Sequence, residues 1–381
     1  MRELAVSIYL LGFNLLFFIC KLFPLKNKVT FVISFPENPL FIYEQIKRTS
    51  IRPIFLCHSR CYQTFKATRE PTYLIETKNI WDTVKGIYHL ATSSRIVVDN
   101  YYGFLAATKF KKRVRCIQIW HALGAIKQFG TKDPSNSTRH PRAVQRFKKV
   151  YAKFDQIVVG SEFMASIFEE AFLANKESFL RIGIPRTDFF FQEKSLKQAK
   201  ESLYQKNPLL KNKKIILYAP TFRKDEYLVT DIALDIPKMH EALKEDYVLM
   251  LRLHPNVRLH PNINNQYSNF VFDYGSYGAV NDLLTVTDIL ISDYSSIPME
   301  FAFFKRKMIF YAYDLEQYQA KNGFWENYTQ VMPGEIVKNT NELIAAILKE
   351  DINVLEIEAF AQKWSEYCEG NASRRLVEEL F

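Results

Sequence analysis

Residues 289–300 read ILISDYSSIPME and pass directly from an apolar run into two serines and a proline. An apolar run with so little polar interruption is typical of a β-strand buried on both faces of a parallel sheet. Pro298 suits the first turn of a helix, and Ser295 or Ser296 suits its N-cap. A strand that leads directly into a helix is the repeating unit of a doubly wound α/β domain.

Apolar runs of the same kind recur along the 381-residue chain, separated by longer helical stretches. In the first half the predicted strands are 29–34, 54–57, 73–75, 95–99, 116–120, 156–159 and 180–184. In the second half they are 214–218, 247–253, 270–272, 289–292 and 308–311. This pattern predicts the α/β class, with parallel strands and crossover helices.

A polar, lysine-rich stretch, residues 192–213, separates the two sets of strands and is interpreted as a helix plus a linker. We therefore expect two Rossmann-like doubly wound domains facing a cleft. The N-terminal domain is expected at 26–190 and the C-terminal domain at 191–345. Residues 346–381 are predicted to form helices that pack back across to the N-terminal domain.

The formal net charge of +10 indicates a surface that attracts anions, such as nucleic acid, anionic lipid or phosphorylated substrates. Nucleic acid is the weaker option because the sequence has no zinc-finger spacing, no RNP-like strand and no arginine-rich tail. The five cysteines are irregularly spaced, and no second pair follows Cys57 and Cys61. Free thiols in a reducing compartment are the favoured interpretation.

Residues 1–25 are expected to associate with a membrane, because residues 4–20 carry no charge. A signal peptide is disfavoured since no small-residue cleavage site follows. A narrow polar stripe of Glu3, Ser7, Asn14 and Lys21 favours a helix lying in one leaflet. A short transmembrane span and a buried soluble helix remain as alternatives. Each alternative leaves the rest of the chain on one side of the membrane.

Candidate functional residues lie where predicted strands end, because ligands of open parallel sheets bind outside the carboxyl ends of the strands. His121 follows one strand directly and precedes a turn that contains Gly124. An imidazole with the ordinary pKa of about 6.5 suits a general base at neutral pH. The alternative is a histidine that only bonds a neighbouring backbone carbonyl.

Two strand ends of the second half carry cationic side chains. Thr221 and Arg223 follow Pro220, and a hydroxyl with a guanidinium makes a good phosphate site. Strand alternation puts Arg252 and His254 on one side, where two potential cations are costly to bury without an anion. An ordinary strand exit with a surface arginine is the alternative at Arg223.

The remaining candidates lie at a helix start and at the junction of the predicted domains. A helix that begins near Ser295 and Ser296 offers free N–H groups to a phosphate, although a plain serine-capped helix reads the same way. Pro185 and Arg186 lie at the junction, where Arg186 is expected to face the cleft. There is no Walker loop, no Gly-x-Gly-x-x-Gly and no Asp-x-Asp pair, so we expect no metal and no cofactor. Arginines and helix dipoles would then neutralise a nucleotide diphosphate.

A basic stretch covers residues 139–153. We expect Arg139, Arg142, Arg146 and Lys149 to meet a lipid diphosphate or anionic headgroups. A solvated helix face is the alternative.

Several short motifs appear in a fixed order over roughly residues 95–345. They are Trp120-His121, Gly183-Ile184-Pro185-Arg186, Ala219-Pro220-Thr221-Phe222-Arg223, Arg252-Leu253-His254-Pro255, Asp293-Tyr294-Ser295-Ser296, the run FYAYDL at 310–315, Gly323-Phe324 and Pro333-Gly334. This ordered set resembles the CDP-glycerol glycerophosphotransferase family of wall teichoic acid synthesis. The short chain and the sequence His121-Ala122-Leu123-Gly124 resemble the primase branch of that family.

The resemblance implies a GT-B fold and transfer of glycerol phosphate from CDP-glycerol, with release of CMP, to undecaprenyl-diphosphate-linked ManNAc-GlcNAc. It implies that the acceptor site lies in the N-terminal domain and the CDP-glycerol site mainly in the C-terminal domain. His121 would be the base, and His254 would serve the donor diphosphate or be a second catalytic group. The diphosphate would be held by Thr221, Arg223, Ser295 and Ser296, and further contacts with CDP-glycerol are expected from Gly124, Pro185, Arg186, Pro220 and Arg252. It also implies a peripheral or monotopic enzyme on the cytoplasmic side of the cell membrane, and leaves open a homo-oligomer. Two rivals remain: a transferase of the same fold that adds glycerol or ribitol phosphate to a later teichoic acid or capsule intermediate, and a non-catalytic membrane-bound glycan-binding protein.

Overall fold

The computed structural model describes residues 2–223, 232–254 and 266–380, and within these ranges the strands form two parallel sheets. The first sheet contains β1 (Lys26–Ile33), β2 (Arg52–Cys57), β3 (Thr72–Leu74), β4 (Ser93–Val98), β5 (Arg115–Gln118), β6 (Gln156–Val159) and β7 (Phe179–Arg181). The second contains β8 (Lys214–Ala219), β9 (Tyr247–Leu251), β10 (Val271–Asp273), β11 (Ile289–Ser292), β12 (Lys307–Tyr311) and β13 (Glu335–Val337).

The helices of the described ranges connect these strands. They are α1 (Arg2–Cys20), α2 (Glu37–Ile46), α3 (Ser59–Lys66), α4 (Ile80–Thr92), α5 (Pro141–Tyr151), α6 (Glu162–Phe172), α7 (Glu193–Lys206), α8 (Ile236–Leu243), α9 (Val280–Val286), α10 (Ile297–Phe301), α11 (Leu315–Asn322), α12 (Tyr328–Val331), α13 (Thr340–Leu348), α14 (Val354–Ser365) and α15 (Ala372–Leu380). The prediction of an α/β fold with two doubly wound parallel sheets is therefore confirmed.

Both sheets reverse their strand order near the middle, as doubly wound sheets do. The first runs β3-β2-β1-β4-β5-β6-β7 and the second β10-β9-β8-β11-β12-β13. The strands are parallel, so the segments that follow β1, β4 and β5 emerge at one edge, and those that follow β8, β11 and β12 emerge at one edge of the other sheet. Such carboxyl edges are where open α/β sheets bind ligands.

Each predicted strand is present in the structure within a few residues, and one further strand among the described residues, β13, was not predicted. β13 has three residues and begins with the charged Glu335, so it carries little apolar signal. β5 ends before the predicted end at Trp120, whose φ of 53° lies in the left-handed region. There the Gln118 Oε1 accepts the Trp120 N–H at 2.9 Å, in place of a strand partner.

The chain forms two compact units, and their limits differ from the sequence-derived boundaries in three places. Unit 1 comprises residues 1–122, 128–188 and 365–381, and unit 2 comprises 123–127 and 189–364. The boundary falls before Phe189 because Phe190 stacks on Phe303 at 4.9 Å.

The other two differences also have local causes. Residues 123–127 join unit 2 because the Ile126 carbonyl accepts the Trp325 N–H at 3.1 Å. Only the last part of the C-terminal helices belongs to unit 1, where the Asp188 carboxylate accepts the backbone N–H of Ala372 at 2.8 Å and of Ser373 at 3.0 Å. α15 also packs against α2 in that unit.

The N-terminal helix α1 packs along unit 1 and presents an apolar stripe outward. Phe13 stacks on Phe104 at 5.2 Å, and Phe17 meets Phe110 edge-on at 5.7 Å. The exposed stripe consists of Leu4, Ile8, Leu11, Leu15, Phe18 and Ile19, and the exposed Leu22 follows directly after the helix. Within the described residues, the segment Glu3–Cys20 is also long and apolar enough to cross a membrane, a test that core helices and signal sequences also pass.

Candidate functional site

In unit 1, His121 lies at the carboxyl edge of the first sheet, between two aromatic rings. Its imidazole stacks on Phe35 at 4.5 Å and 15°, and lies 4.3 Å from the Trp120 ring. Its Nδ1 is 3.1 Å from the carbonyl oxygen of Asp99, the residue that follows β4. If Nδ1 donates this hydrogen bond, the neutral ring presents Nε2 as a proton acceptor. The backbone-carbonyl contact that was considered as an alternative is present, and it orients the ring rather than occupying both nitrogens.

The protonation state of His121 suits a base. Burial, together with the positive charges of Arg186 and Arg60, lowers the pKa of His121 to about 4, against the opposing effect of the hydrogen bond to the Asp99 carbonyl. The ring is therefore neutral at pH 7 and has a nitrogen without a proton, but a pKa of about 4 makes it a weaker base than the ordinary imidazole expected from the sequence.

The carboxyl group of Asp99 lies beneath this edge and was not among the predicted site residues. It accepts hydrogen bonds from the Ser34 and Phe35 N–H groups at 2.9 and 2.7 Å, and from the Tyr102 hydroxyl at 2.6 Å. Burial raises the pKa of Asp99 to about 7 although these bonds oppose the shift. Its position at the end of the predicted strand 95–99 was the signal that could have identified it.

Arg186 is buried and connects this edge to α2. Its backbone N–H donates to the Asn38 Oδ1 at 2.9 Å, and its Nη1 donates to the His121 carbonyl at 3.0 Å. The Asn38 Nδ2 in turn donates to the Trp120 carbonyl at 2.9 Å. Arg186 therefore holds the backbone around His121 in place. Pro185, its neighbour, begins a 3₁₀ helix.

Two glycines of the motifs are needed for close packing. A Cβ at Gly183, which has a φ of 84°, would lie 2.5 Å from the Tyr367 carbonyl oxygen. A Cβ at Gly124 would lie 2.2 Å from the Trp364 ring and 2.6 Å from the Met299 sulfur, all within unit 2. This packing accounts for Gly124, whereas its predicted contact with substrate stays a prediction.

In unit 2, Arg223 lies in a buried ionic cluster rather than at an open phosphate site. Its Nη1 lies 2.6 Å from the Asp293 carboxylate, and its Nη2 and Nε lie 2.8 and 3.0 Å from the two Asp314 oxygens. Burial opposes the charged form, but the hydrogen bonds to Asp314 and the charge of Asp293 raise the pKa of Arg223. Two carboxylates thus balance this guanidinium, which argues against the predicted direct grip on a diphosphate.

Aromatic rings complete the surroundings of this cluster. The guanidinium carbon lies 5.0–5.4 Å from the ring centres of Tyr294, Tyr313 and Tyr318, a cation–π distance. The Tyr294 hydroxyl also donates to Asp314 at 2.9 Å. Neither Asp314 nor Tyr318 was predicted, because nothing near them in the sequence marks them as partners of Arg223.

Thr221 contacts the cluster through its backbone. Its N–H donates to Asp293 at 2.7 Å, and it follows Pro220 at the end of β8. Its Oγ1 is buried and has no hydrogen-bond partner among the described residues. A buried hydroxyl without a partner is costly, and the predicted contact of this atom with the diphosphate stays a prediction.

The predicted helix start at Ser295 and Ser296 is present but short. The Ser295 Oγ accepts the Ile297 N–H at 3.2 Å, and Ser296 is the N-cap of α10 without a side-chain cap bond. α10 has five residues, so its dipole contributes less than expected.

Arg252 and His254 follow β9 and have different surroundings. The Arg252 Nη1 donates to the carbonyls of Tyr274 and Gly275 at 2.8 and 2.5 Å. The His254 ring stacks on Phe222 at 4.2 Å. Pro255 of the same motif lies outside the described residues.

In the basic stretch, some residues pair with a carboxylate and others are exposed. Arg146 donates to both carboxylate oxygens of Glu3 at 3.1 and 3.3 Å, so it anchors α1, whereas the sequence predicted contact with a lipid diphosphate or anionic headgroups. Arg139 lies 3.7 Å from Asp133, whereas Arg142 and Lys149 are exposed. No group of three or more potential metal ligands occurs among the described residues, and all five cysteines are buried free thiols.

Comparison with known proteins identifies a matching family and relatives that act in teichoic acid synthesis. Residues 15–381 match the family described as CDP-glycerol:poly(glycerophosphate) glycerophosphotransferase. The chain is 35% identical over 380 residues to the teichoic acid glycerol-phosphate primase of Bacillus subtilis (strain 168), covering 99% of this chain and 97% of the relative. It is 32% identical to the teichoic acid poly(ribitol-phosphate) polymerase of Bacillus spizizenii, covering 100% of this chain and 60% of the relative.

The fold also matches a solved structure. The wall teichoic acid polymerase TagF superposes with a TM-score of 0.80 at 24% identity, covering 99% of this chain and 95% of that chain. At this identity the likeness concerns the fold. The sequence match over nearly the whole chain concerns the family, and the chain belongs to the CDP-glycerol:poly(glycerophosphate) glycerophosphotransferase family.

Proposed function

We propose that this glycerophosphotransferase primes wall teichoic acid synthesis by transferring glycerol phosphate from CDP-glycerol to undecaprenyl-diphosphate-linked ManNAc-GlcNAc. The observation that carries the proposal is the neutral, oriented imidazole of His121 at the carboxyl edge of the unit 1 sheet. The end-to-end likeness to a glycerol-phosphate primase supports a priming role over chain extension.

In the proposed reaction, His121 Nε2 removes the proton of an acceptor hydroxyl. The hydroxyl oxygen then attacks the phosphorus that bears glycerol, and a new P–O bond forms. The P–O bond to CMP breaks, and CMP leaves with the electron pair of the bridging oxygen. A positioned base of this kind contributes about 10²–10⁴-fold to the rate.

On the donor side, the proposed contacts lie in unit 2. The buried Thr221 hydroxyl and the Ser295 and Ser296 hydroxyls would receive the diphosphate of CDP-glycerol. Arg223 would hold the Thr221 segment through Asp293, which accepts from both residues. Arg252 and His254 are proposed to add positive charge as CMP leaves.

Donor and acceptor are tested together in one assay. We expect purified protein to release CMP from CDP-glycerol only when a synthetic lipid-linked disaccharide is present. CDP-ribitol and UDP-sugars serve as matched donors in parallel reactions. Faster turnover of CDP-ribitol, or turnover only with a later teichoic acid intermediate, would favour the rival transferase. Binding of the lipid-linked disaccharide without turnover of any donor would favour the second rival, a non-catalytic glycan-binding protein.

We also propose that α1 lies in the plane of the cytoplasmic leaflet, with its apolar stripe in the lipid. The support is that its other faces are held by unit 1. Glu3 pairs with Arg146, and the Asn14 Nδ2 donates to the Ala107 carbonyl at 2.7 Å. A membrane-crossing helix would have to give up both contacts.

Vesicle binding tests this placement. We expect the double variant Leu11→Glu/Leu15→Glu to lose most binding to vesicles that contain anionic lipid, because it puts charge into the apolar stripe. Arg142→Glu/Lys149→Glu should weaken binding by roughly 1 kcal/mol per residue removed, measured by flotation or titration. The matched control, Lys194→Glu/Lys197→Glu, makes the same charge change on exposed α7 and should bind normally. Unchanged binding by the first variant would disprove the placement.

A further inference from the structure

A cavity of about 430 Å³ lies beneath α1, entirely within unit 1. Val6, Leu10 and Phe13 of α1 form one side of it. The opposite side is formed by Leu56, Leu74, Gly86, Ile87, Leu90 and Phe104. The volume falls in the range of about 300–1,000 Å³ that is usual for small-molecule sites.

The lining contains both apolar side chains and polar ones, and the latter include Arg146, whose charge is paired with Glu3. Leu56, Ile87 and Leu90 are almost completely buried and offer only hydrocarbon to an occupant. Glu76 and Lys78, by contrast, are exposed lining residues and mark where the cavity opens to solvent. An interior of this kind favours an apolar occupant, while its opening tolerates a polar group.

The position of the cavity indicates where such an occupant would come from. One face of α1 lines the cavity, and the opposite face carries the exposed apolar stripe. The helix therefore lies between the cavity and the surface that is proposed to contact lipid. Near the opening, Trp81 is 74% exposed and directly precedes Asp82, which lines the cavity. Exposed tryptophans of this kind are enriched at the level of lipid headgroups.

We propose that this cavity binds one hydrocarbon chain of a membrane lipid, with the lipid's polar end at the Glu76–Lys78 opening. The site would hold the chain of a single lipid molecule while the outer stripe of α1 contacts the bulk leaflet. This inference goes beyond the transfer reaction, because it concerns the hydrocarbon part of a lipid and none of the residues proposed for chemistry.

Gly86 provides a selective way to fill the cavity. It lies in the interior of α4, and an added Cβ would meet only the Leu56 side chain, at an ordinary 3.7 Å. Gly86→Ala should therefore be tolerated and should leave most of the space open. The larger side chain of Gly86→Leu should occupy the space itself, while both changes favour the helix more than glycine does.

The test is binding of single-chain probes to the purified full-length protein, below their micellar concentrations, by native mass spectrometry and titration calorimetry. Farnesyl phosphate supplies a branched isoprenoid chain and lysophosphatidylglycerol supplies an acyl chain. We expect one molecule bound per protein chain for at least one probe. Gly86→Leu should weaken this binding by about tenfold or more, and Gly86→Ala should stay close to wild type. The probe that binds more tightly identifies the source of the chain.

Two further variants keep the result unambiguous. Val6→Phe fills the cavity from the α1 side and should reproduce the loss if Gly86→Leu disturbs α4. Leu11→Glu/Leu15→Glu should lose vesicle binding but keep probe binding, since these side chains lie on the exposed stripe. No bound probe, or unchanged binding in both filled variants, would overturn the proposal. CMP release with a short, water-soluble acceptor should be normal in Gly86→Leu, because the cavity takes no part in the transfer reaction. If wild-type protein failed to release CMP, that result would contradict the proposed function and would leave the lipid-binding proposal untouched.

Discussion

Replacing His121 with alanine should reduce CMP release from CDP-glycerol by about 10²–10⁴-fold, the usual contribution of a positioned general base. The side chain has one orienting contact, the Asp99 carbonyl, and lies between the rings of Phe35 and Trp120. Its loss removes the proton acceptor while the surrounding backbone keeps the Arg186 bond to the His121 carbonyl. Steady-state turnover with a saturating acceptor measures the effect.

The control for this change is His140→Ala, which removes an exposed imidazole that caps α5. It should turn over at nearly the wild-type rate with a soluble acceptor. His121→Gln should match His121→Ala in rate, because an amide is able to donate to the Asp99 carbonyl but is not a base. Near-normal turnover of either His121 variant would remove this residue from the proposed role.

The dependence on pH adds a second readout for His121. Because the pKa is lowered to about 4, the ring remains neutral as the pH falls from 8 to about 5. His121 should therefore not reduce kcat/KM of the free enzyme in this range, unlike an imidazole with the ordinary pKa of about 6.5. A change near pH 7 that disappears in Asp99→Asn would belong to the raised pKa of that carboxyl group.

Arg223→Ala should destabilise the folded chain by about 3–5 kcal/mol, because it leaves two carboxylates in a buried site without their counter-charge. The Asp293 side chain is 2% exposed and that of Asp314 is 17% exposed, so water compensates little. Urea unfolding followed by circular dichroism measures the change. The control is Arg181→Ala, which breaks an exposed pair with Glu162 and should cost at most about 1 kcal/mol. Equal effects of the two changes would contradict the account of the cluster.

Asp314→Asn separates the two roles considered for Arg223. If the guanidinium gripped the diphosphate directly, removal of a competing carboxylate should tighten CDP-glycerol binding. If Arg223 acts by holding Asp293 and thereby the Thr221 segment, the variant should lose stability without tighter binding. We expect the second result, and titration with CDP-glycerol decides between them.

The strand pattern was largely predictable because strands buried on both faces leave continuous apolar runs. Runs such as 289–292 and 156–159 coincide with β11 and β6. β13 was missed because Glu335 is exposed and Ile336 is half-buried at a sheet edge, where apolar continuity is not required. The association of residues 123–127 with unit 2 was also unpredictable, since it depends on contacts with Phe324 and Trp325 far along the chain.

In the candidate site, too, features that depend on neighbouring residues could be predicted from the sequence, whereas features that depend on residues far along the chain could not. The position of His121 at a strand end could be read from neighbouring residues, whereas its low pKa depends on burial and on Arg186. Arg223 was interpreted as an open phosphate ligand because Asp293 and Asp314 lie 70 and 91 residues away in sequence. Sequence patterns show which charges exist, and only the fold shows which of them neutralise each other.

Because α15 belongs to unit 1, this unit contains the segments that are translated first but completes its fold only after unit 2 has been translated. Until α15 is translated, the Asp188 carboxylate lacks the N–H groups of Ala372 and Ser373, and α2 lacks the helix that packs on it. A premature stop codon that removes α15 should therefore damage the amino-terminal half rather than the carboxyl-terminal half. For the same reason, if the two units are produced as separate polypeptides, residues 365–381 must be fused to the polypeptide that contains residues 1–188.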